Sequence, residues 1–168
     1  MALSMHTSSA PVFVRMLSNS LTWLDKAQAF AEARKFSPDA YLNQRLSPDM
    51  LPFTRQVQIA CDTVKGAMAR LAGVDVPAWE DNEVTLDELR TRIRRTIDYV
   101  QSFKPEQIDG SEGREIALPT RSGEPRRFTG ESYLKHFVTP NLYFHLTTVY
   151  ALLRQGGVDI GKMDYLGR

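Results

Sequence analysis

The sequence predicts an all-α protein, a four-helix bundle with a short β-hairpin between the third and fourth helices. Four stretches place apolar residues every three or four positions, which gives a helix one buried face. Two short segments of alternating polarity flank a Gly- and Pro-containing turn after the third stretch. The 168 residues, 42% hydrophobic and 24% charged, suit one globular domain spanning 1–168.

The first two helices have recognisable ends. Helix one is predicted from about Pro11 to Arg34, because Pro11 suits a first turn and Ser8 or Ser9 can cap it. Helix two begins near Pro52 and ends before Gly73, which can adopt the left-handed conformation that terminates helices. The connection between them is longer than most, so it is a candidate functional loop.

Helix three is predicted from Thr85 to about Ser102. Thr85 and Glu88 form a capping box, in which each side chain satisfies a backbone amide of the other residue. Four arginines in this helix are expected to form a solvated basic surface. They are Arg90, Arg92, Arg94 and Arg95.

The segments 115–119 and 126–129 predict the two hairpin strands. Helix four is expected to follow, capped by Thr129 and ending near Gln155 before two glycines. Pro140 lies inside it and should free the carbonyl of His136 and bend the helix. The apolar residues of the tail, 158–168, predict that it packs back onto the bundle.

Composition narrows the class of protein. The 21 basic and 20 acidic residues leave a formal charge of +1, which argues against a nucleic-acid partner. The single cysteine, Cys61, excludes an internal disulfide and is expected to be a buried, inert thiol. No apolar run approaches the length of a membrane span, so we expect no membrane association and a cytoplasmic location.

Three polar residues interrupt the apolar stripe of helix four. Asn141, His145 and Thr148 share one face at about 100° per residue, and that face should be core. Burying such groups without partners would cost roughly 1–3 kcal/mol each. Either neighbouring helices supply partners, or the three groups line a wet cavity.

Two interpretations of His145 stay open. Its ring nitrogens are either bonded to a core residue such as Gln58 or Asp62, or they coordinate a metal or act as a general base in a pocket. His136 cannot share a metal with His145, because nine residues of helix place them on opposite faces. We expect His136 to be exposed.

Four motifs resemble an uncharacterised bacterial family of unknown function, a branch of the DinB/YfiT-like four-helix bundles. They are Ser-Ala-Pro-Val-Phe-Val-Arg-Met-Leu from residue 9, Pro-Asp-Met-Leu-Pro-Phe-Thr-Arg-Gln-Val-Gln-Ile-Ala-Cys-Asp at 48–62, Phe-Thr-Gly-Glu-Ser-Tyr-Leu at 128–134 and Pro-Asn-Leu-Tyr-Phe-His-Leu-Thr-Thr-Val-Tyr at 140–150. The resemblance implies an up-down-down-up bundle, often homodimeric, with a pocket at one end.

The metal-binding relatives hold a divalent ion through one histidine of helix two and two of helix four. On this chain the resemblance matches His145 to one ligand and Asn141 to another, with Gln58 near the helix-two position and Asp62 one turn later. Two of three imidazoles are therefore absent, and amide oxygens are weak ligands for zinc or nickel. A divalent ion held by His145, Asp62 and waters is the candidate cofactor.

These features predict a small-molecule-binding protein, a degenerate relative of metal-dependent thiol transferases and isomerases. Its pocket would lie between helices two and four, and helix one would overlook it. Two alternatives remain: an active metal-dependent enzyme with His145 as catalytic base or ligand, and a dimeric interaction protein without pocket chemistry. The pocket residues are His145, Asn141, Thr148, Gln58 and Asp62, with Asn19, Ser20 or Trp23 above them.

Overall fold

A computed structural model describes residues 3–120 and 123–167 and confirms the helical bundle with a small hairpin. Arg121 and Ser122, in the predicted hairpin turn, lie outside the described residues, as does Arg168 of the tail. The helices are α1 (Ala10–Arg34), α2 (Phe53–Ala72), α3 (Leu86–Gln101), α4 (Pro105–Ile108), α5 (Gly130–Tyr133), α6 (Thr139–Gln155) and α7 (Lys162–Leu166), with a π-helical segment, Leu134–Val138, joining α5 to α6. The strands are β1 (Glu115–Leu118) and β2 (Arg126–Thr129), and a short 3-10 turn spans Pro38–Tyr41.

The four long helices form a closed ring in the order α1, α3, α2, α6. Contacts along their lengths show that α1 runs parallel to α6 and antiparallel to α3, while α2 runs antiparallel to α6. The topology is therefore up-down-down-up. The pairs that set these directions are Trp23 with Tyr150, Phe30 with Gly157, Asp25 with Arg90, Val14 with Val100, Gln56 with His145, and Thr63 with Asn141.

Helix ends follow local capping chemistry. Thr85 Oγ1 accepts a hydrogen bond from the Glu88 backbone N–H at 3.2 Å, and Glu88 Oε2 accepts one from the Thr85 N–H at 3.0 Å, so the predicted capping box is present. Gly73 ends α2 with a φ of 71°. Ser9 does not cap α1, since its hydroxyl donates to the Met5 carbonyl at 2.6 Å.

The fourth bundle helix, formed by α5, the π-helical segment and α6, contains a π turn just before Pro140. The Thr139 N–H bonds the Leu134 carbonyl, five residues back, instead of a carbonyl four residues back. This wider turn comes directly before Pro140, which has no N–H and would crowd the His136 carbonyl in a regular α-helix. A π turn, which the sequence analysis did not predict, therefore precedes the proline.

The tail docks onto α1, as the sequence predicts. Trp23 stacks on Tyr165 with ring centroids 5.4 Å apart, and its indole N–H donates to the Asp164 carbonyl at 2.9 Å. Asn19 donates to the Tyr165 carbonyl at 3.0 Å. Asn19 and Trp23, expected to overlook a pocket, instead hold the tail, and Ser20 bonds the Leu17 carbonyl of its own helix.

The hairpin packs on the bundle through alternate residues of β1. Glu115 pairs with Thr129 and Leu118 with Arg126, and Ile116 and Leu118 are buried. Within residues 3–120 and 123–167, none of the helices combines the length and apolar character needed to cross a bilayer.

We predict that Gly130→Ala destabilises the fold by about 1–3 kcal/mol, because its added Cβ would lie 2.0 Å from the Ser111 carbonyl oxygen and overpack a buried contact. Gly113→Ala is the matched control, since a Cβ there meets nothing within 4 Å, and it should change stability by less than about 0.5 kcal/mol. Urea unfolding measures both. Equal midpoints for the two variants would contradict the packing argument.

Candidate functional site

His145 lies on the face of α6 that packs against α2, and 8% of its surface is exposed. Its Nδ1 is 2.6 Å from Oε1 of Gln56, which is 1% exposed on α2. The Gln56 amide has a defined orientation because its Nε2 donates to the Leu51 carbonyl at 2.9 Å. Oε1 therefore accepts, and Nδ1 of His145 is the protonated nitrogen.

The imidazole is neutral near pH 7. Burial disfavours its charged form and lowers the pKa of His145 from the usual 6.5. With Nδ1 donating to Gln56, the Nε2 atom carries the lone pair. No side chain or backbone group among the described residues forms a hydrogen bond with Nε2. His145 thus presents one unused acceptor.

The other two polar residues of the stripe have different partners. Asn141 is half-buried, and its Nδ2 donates to Thr63 Oγ1 on α2 at 2.9 Å. Thr148 is buried, but its hydroxyl donates to the Phe144 carbonyl of its own helix at 2.8 Å. Two of the three residues therefore bridge α6 to α2, and Thr148 is satisfied locally.

Gln58 and Asp62 do not meet His145. Gln58 donates to Glu83 Oε2 at 2.7 Å and accepts from Arg55, while Asp62 pairs with Lys65 at 2.8 Å and with Arg92. The reason is helical phase: Gln58 lies about 200° around the helix axis from Gln56, so the two glutamines point in opposite directions. Gln56, which the sequence analysis did not select, occupies the position opposite His145.

A metal centre has few donors here. Across the part of the chain that the structure describes, no three His, Cys, Asp or Glu side chains are grouped so that they could hold an ion. Asp62, the expected second ligand, has its Oδ1 atom bonded to two cationic side chains. His145 Nε2 is the one imidazole nitrogen at the seam between α2 and α6 that could bind a metal ion.

An exposed aromatic side chain lies beside the histidine, and a second exposed apolar residue lies beside its partner Gln56. Phe144 is 55% exposed and its ring meets the imidazole edge-on with centroids 5.2 Å apart. Leu51, whose carbonyl holds Gln56, is 45% exposed. Five cavities of about 310–650 Å³ in the described residues are lined by other side chains, so His145 Nε2 lies at a surface seam and not in one of these cavities.

Comparison with known proteins identifies the family. The sequence profile of a domain of unknown function, DUF1993, matches residues 5–166. The chain belongs to DUF1993. A crystal structure described as a DinB family member from Shewanella denitrificans is 41% identical, with a TM-score of 0.90 over 97% of this chain and 92% of that one. No curated protein matches the chain. The family resemblance and the fold predicted from the sequence are both confirmed.

This DUF1993 chain also contains a buried charge cluster that the sequence analysis missed. Arg92, expected on a solvated surface, is 4% exposed, and its guanidinium contacts Glu83 and Asp81 at 2.8 Å and Asp62 at 3.0 Å. Burial on its own would lower the pKa of Arg92. The hydrogen bond to Glu83 and the charges of Asp62 and Glu83 outweigh the effect of burial and raise this pKa. Arg92 fastens the 74–85 connection to α2 and α3.

Arg90, the second buried arginine, joins α3 to α1. It is 5% exposed, its Nη2 donates to the Leu24 carbonyl at 2.9 Å, and its Nε lies 3.1 Å from Asp25. Arg94 and Arg95 are exposed, as predicted. The Cys61 thiol is fully buried, which raises its pKa to about 12 and makes it the inert core residue that the sequence suggested.

We predict that the stability of the protein falls as the pH drops below about 6.5. Because burial lowers the folded-state pKa of His145, the unfolded chain binds the proton more readily, and folding stability is lost between the two pKa values. The slope contributed by one such group is at most about 1.4 kcal/mol per pH unit. Urea unfolding between pH 7.5 and pH 5 measures this slope.

His145→Gln should remove this component, and His136→Gln, which changes an exposed histidine of the same helix, should keep it. A pH slope that survives in His145→Gln would show that another group causes it.

We further predict that Arg92→Met destabilises the protein by about 2–4 kcal/mol, since it leaves three carboxylates without their shared cation. The value lies at the lower end for a buried pair because Asp62 and Asp81 stay partly exposed. Arg94→Met, an exposed arginine two residues later, should change stability by less than about 0.5 kcal/mol. Similar unfolding midpoints for both variants would refute the role of Arg92.

Proposed function

We propose that this protein binds a small molecule at the α2–α6 seam, with Nε2 of His145 as the central hydrogen-bond acceptor. The observation that supports this proposal is the neutral imidazole whose Nδ1 is fixed by Gln56 while Nε2 has no hydrogen bond within the described residues. Nε2 is not among the buried side-chain atoms that lack a partner in the described residues, so a ligand can approach it from the surface. As part of the same proposal, the protein acts in the cytoplasm, where a single thiol stays reduced.

The chemistry of the seam favours a ligand that donates hydrogen bonds. Asn141 uses its Nδ2 on Thr63, so its Oδ1 is a second acceptor one turn before His145. Side chains one turn apart on a helix lie about 5–6 Å from each other, a separation that one small molecule can span. Leu51 and Phe144 would contact the apolar part of that molecule. A hydroxyl- or amine-bearing molecule with a short apolar portion fits this arrangement.

Catalysis with His145 as general base is the second candidate. A buried imidazole with a lowered pKa is unprotonated at neutral pH and can accept a proton through Nε2. The Gln56 carbonyl would fix the ring in the required tautomer, as carbonyl groups do for histidines that bind metals. A divalent ion at Nε2 belongs to this candidate, with water in place of Asp62, whose Oδ1 is already paired.

We predict that His145→Gln weakens ligand binding at the seam. A thermal-shift screen of small alcohols and amines would supply probes, and titrations monitored by backbone amide shifts would locate them. Loss of one buried hydrogen bond should weaken binding of a seam ligand about ten-fold. His136→Gln, on the exposed side of the same helix, should bind normally.

Three results would decide against the binding proposal. Probes that bind His145→Gln and the unchanged protein equally would place their site elsewhere. If light scattering showed a homodimer that Phe144→Ser dissociates, the exposed surface around Phe144 and Leu51 would be an interface between copies of the chain. Stoichiometric zinc or nickel retained by untagged protein, and lost in His145→Gln, would favour the metal-dependent enzyme.

A further inference from the structure

The largest of the described cavities is a groove at the other side of the bundle. It has a volume of about 650 Å³ and lies between the first turns of α1 and the end of α3, with the start of α4 closing one side. Small-molecule sites have volumes of about 300–1,000 Å³, so the groove has a suitable size. It shares no lining residue with the α2–α6 seam.

The floor of this groove is apolar. Ala10 and Val14 of α1 face Val100 at the end of α3 and Phe103 just beyond it. Val100 is 0% exposed and Phe103 is 8% exposed, while Val14 is half-buried. Pro11, Val14 and Pro105 keep part of the apolar lining in contact with water, and this part gains free energy when an apolar chain covers it.

The rim of the groove is cationic. Lys104 is exposed, and its ammonium group has no ion pair or hydrogen bond among the described residues. Arg15 donates to the carbonyl oxygens of Leu166 and Gly167 at 3.2 Å and 3.0 Å, neutral partners that leave its charge uncancelled. No Asp or Glu is among the described residues that line the groove.

His6 also lines the rim, and the nearby Asp109 carboxylate is hydrogen-bonded to its backbone. The Asp109 carboxylate accepts a hydrogen bond from the His6 backbone N–H at 2.7 Å. This hydrogen bond lowers the pKa of Asp109, so the carboxylate stays ionised, and it directs the carboxylate toward the N-terminal segment. The groove therefore combines an apolar floor with a positive edge.

We propose that this groove binds an amphiphilic carboxylate, a short alkyl chain that ends in a carboxyl group. The alkyl chain lies along Val14, Val100 and Phe103, and the carboxylate pairs with Lys104 and Arg15. Charge complementarity selects this class over a neutral or cationic amphiphile, because Lys104 and Arg15 line the groove and no carboxylate does so among the described residues. The proposal is independent of the small molecule proposed for the His145 seam.

Octanoate is the probe, with n-octanol, octylammonium and acetate as comparators. We expect octanoate to shift the backbone amide resonances of Ala10, Val14, Val100 and Phe103 saturably, and to bind more tightly than each comparator. Lys104→Gln should weaken octanoate binding about two- to five-fold, the range for one exposed ion pair. Lys35→Gln, at the opposite end of α1, should leave it unchanged.

A second pair of variants separates charge from packing. Val14→Asp and Val14→Asn introduce side chains of nearly the same size, and the aspartate should bind octanoate at least about three-fold more weakly than the asparagine because like charges repel. Circular dichroism confirms that both variants fold. His145→Gln should bind octanoate normally, so failure of the seam proposal leaves this test intact.

Several outcomes would overturn the groove proposal. Equal affinity for n-octanol or octylammonium would reduce the groove to a nonselective apolar surface. Concentration-dependent shifts of the same amides without any probe would show that a second copy of the chain covers it. Octanoate shifts confined to residues outside the groove, or equal binding by Val14→Asp and Val14→Asn, would place the carboxylate elsewhere.

Discussion

Helix α2 sets the main constraint on this structure, because neighbouring helices bury it on most of its surface. Polar side chains on such a helix need protein partners, since an unpaired buried group costs about 1–3 kcal/mol. Gln56 therefore meets His145 on α6, and Thr63 meets Asn141. On the opposite face, Gln58 meets Glu83. Two of these pairs join α2 to α6 and the third joins it to the 74–85 connection, so the requirement for partners fixes how α2 is rotated against its neighbours.

The same constraint gives His145 its chemical character. Gln56 is held by the Leu51 carbonyl, so its oxygen faces the imidazole and determines which ring nitrogen carries the proton. Burial keeps the ring neutral, and the lone pair remains on the nitrogen that the protein leaves unbonded. One contact therefore has two effects: the hydrogen bond that satisfies Gln56 also leaves Nε2 as the acceptor nitrogen of the ring. The proposed functions of the seam all depend on this tautomer.

Local signals in the sequence predicted the helices well. The Thr85–Glu88 capping box, the glycine that ends α2 and the apolar stripes depend on residues within one or two turns of each other. The partners of buried polar groups depend on residues far apart in sequence, and there the predictions failed. Helical periodicity favoured Gln58 over Gln56 and predicted a solvated Arg92, whose carboxylate partners come from the 74–85 connection and α2. Helical spacing shows which side chains share a face, but not which neighbouring part of the chain that face contacts.

The π turn explains how the fourth bundle helix keeps its polar contacts on α2. In an uninterrupted α-helix, Tyr133 would lie about 120° from His145 around the axis, because twelve residues separate them. A π turn inserts one residue without advancing the helical phase, so the effective separation is eleven residues, or about 20°. Tyr133 accordingly meets Arg70 of α2 at 3.2 Å, on the same side as the bonds made by Asn141 and His145. The extra residue in the π turn before Pro140 therefore places Tyr133 on the face of the helix that contacts α2. A period of 3.6 residues applied to the sequence does not predict this position.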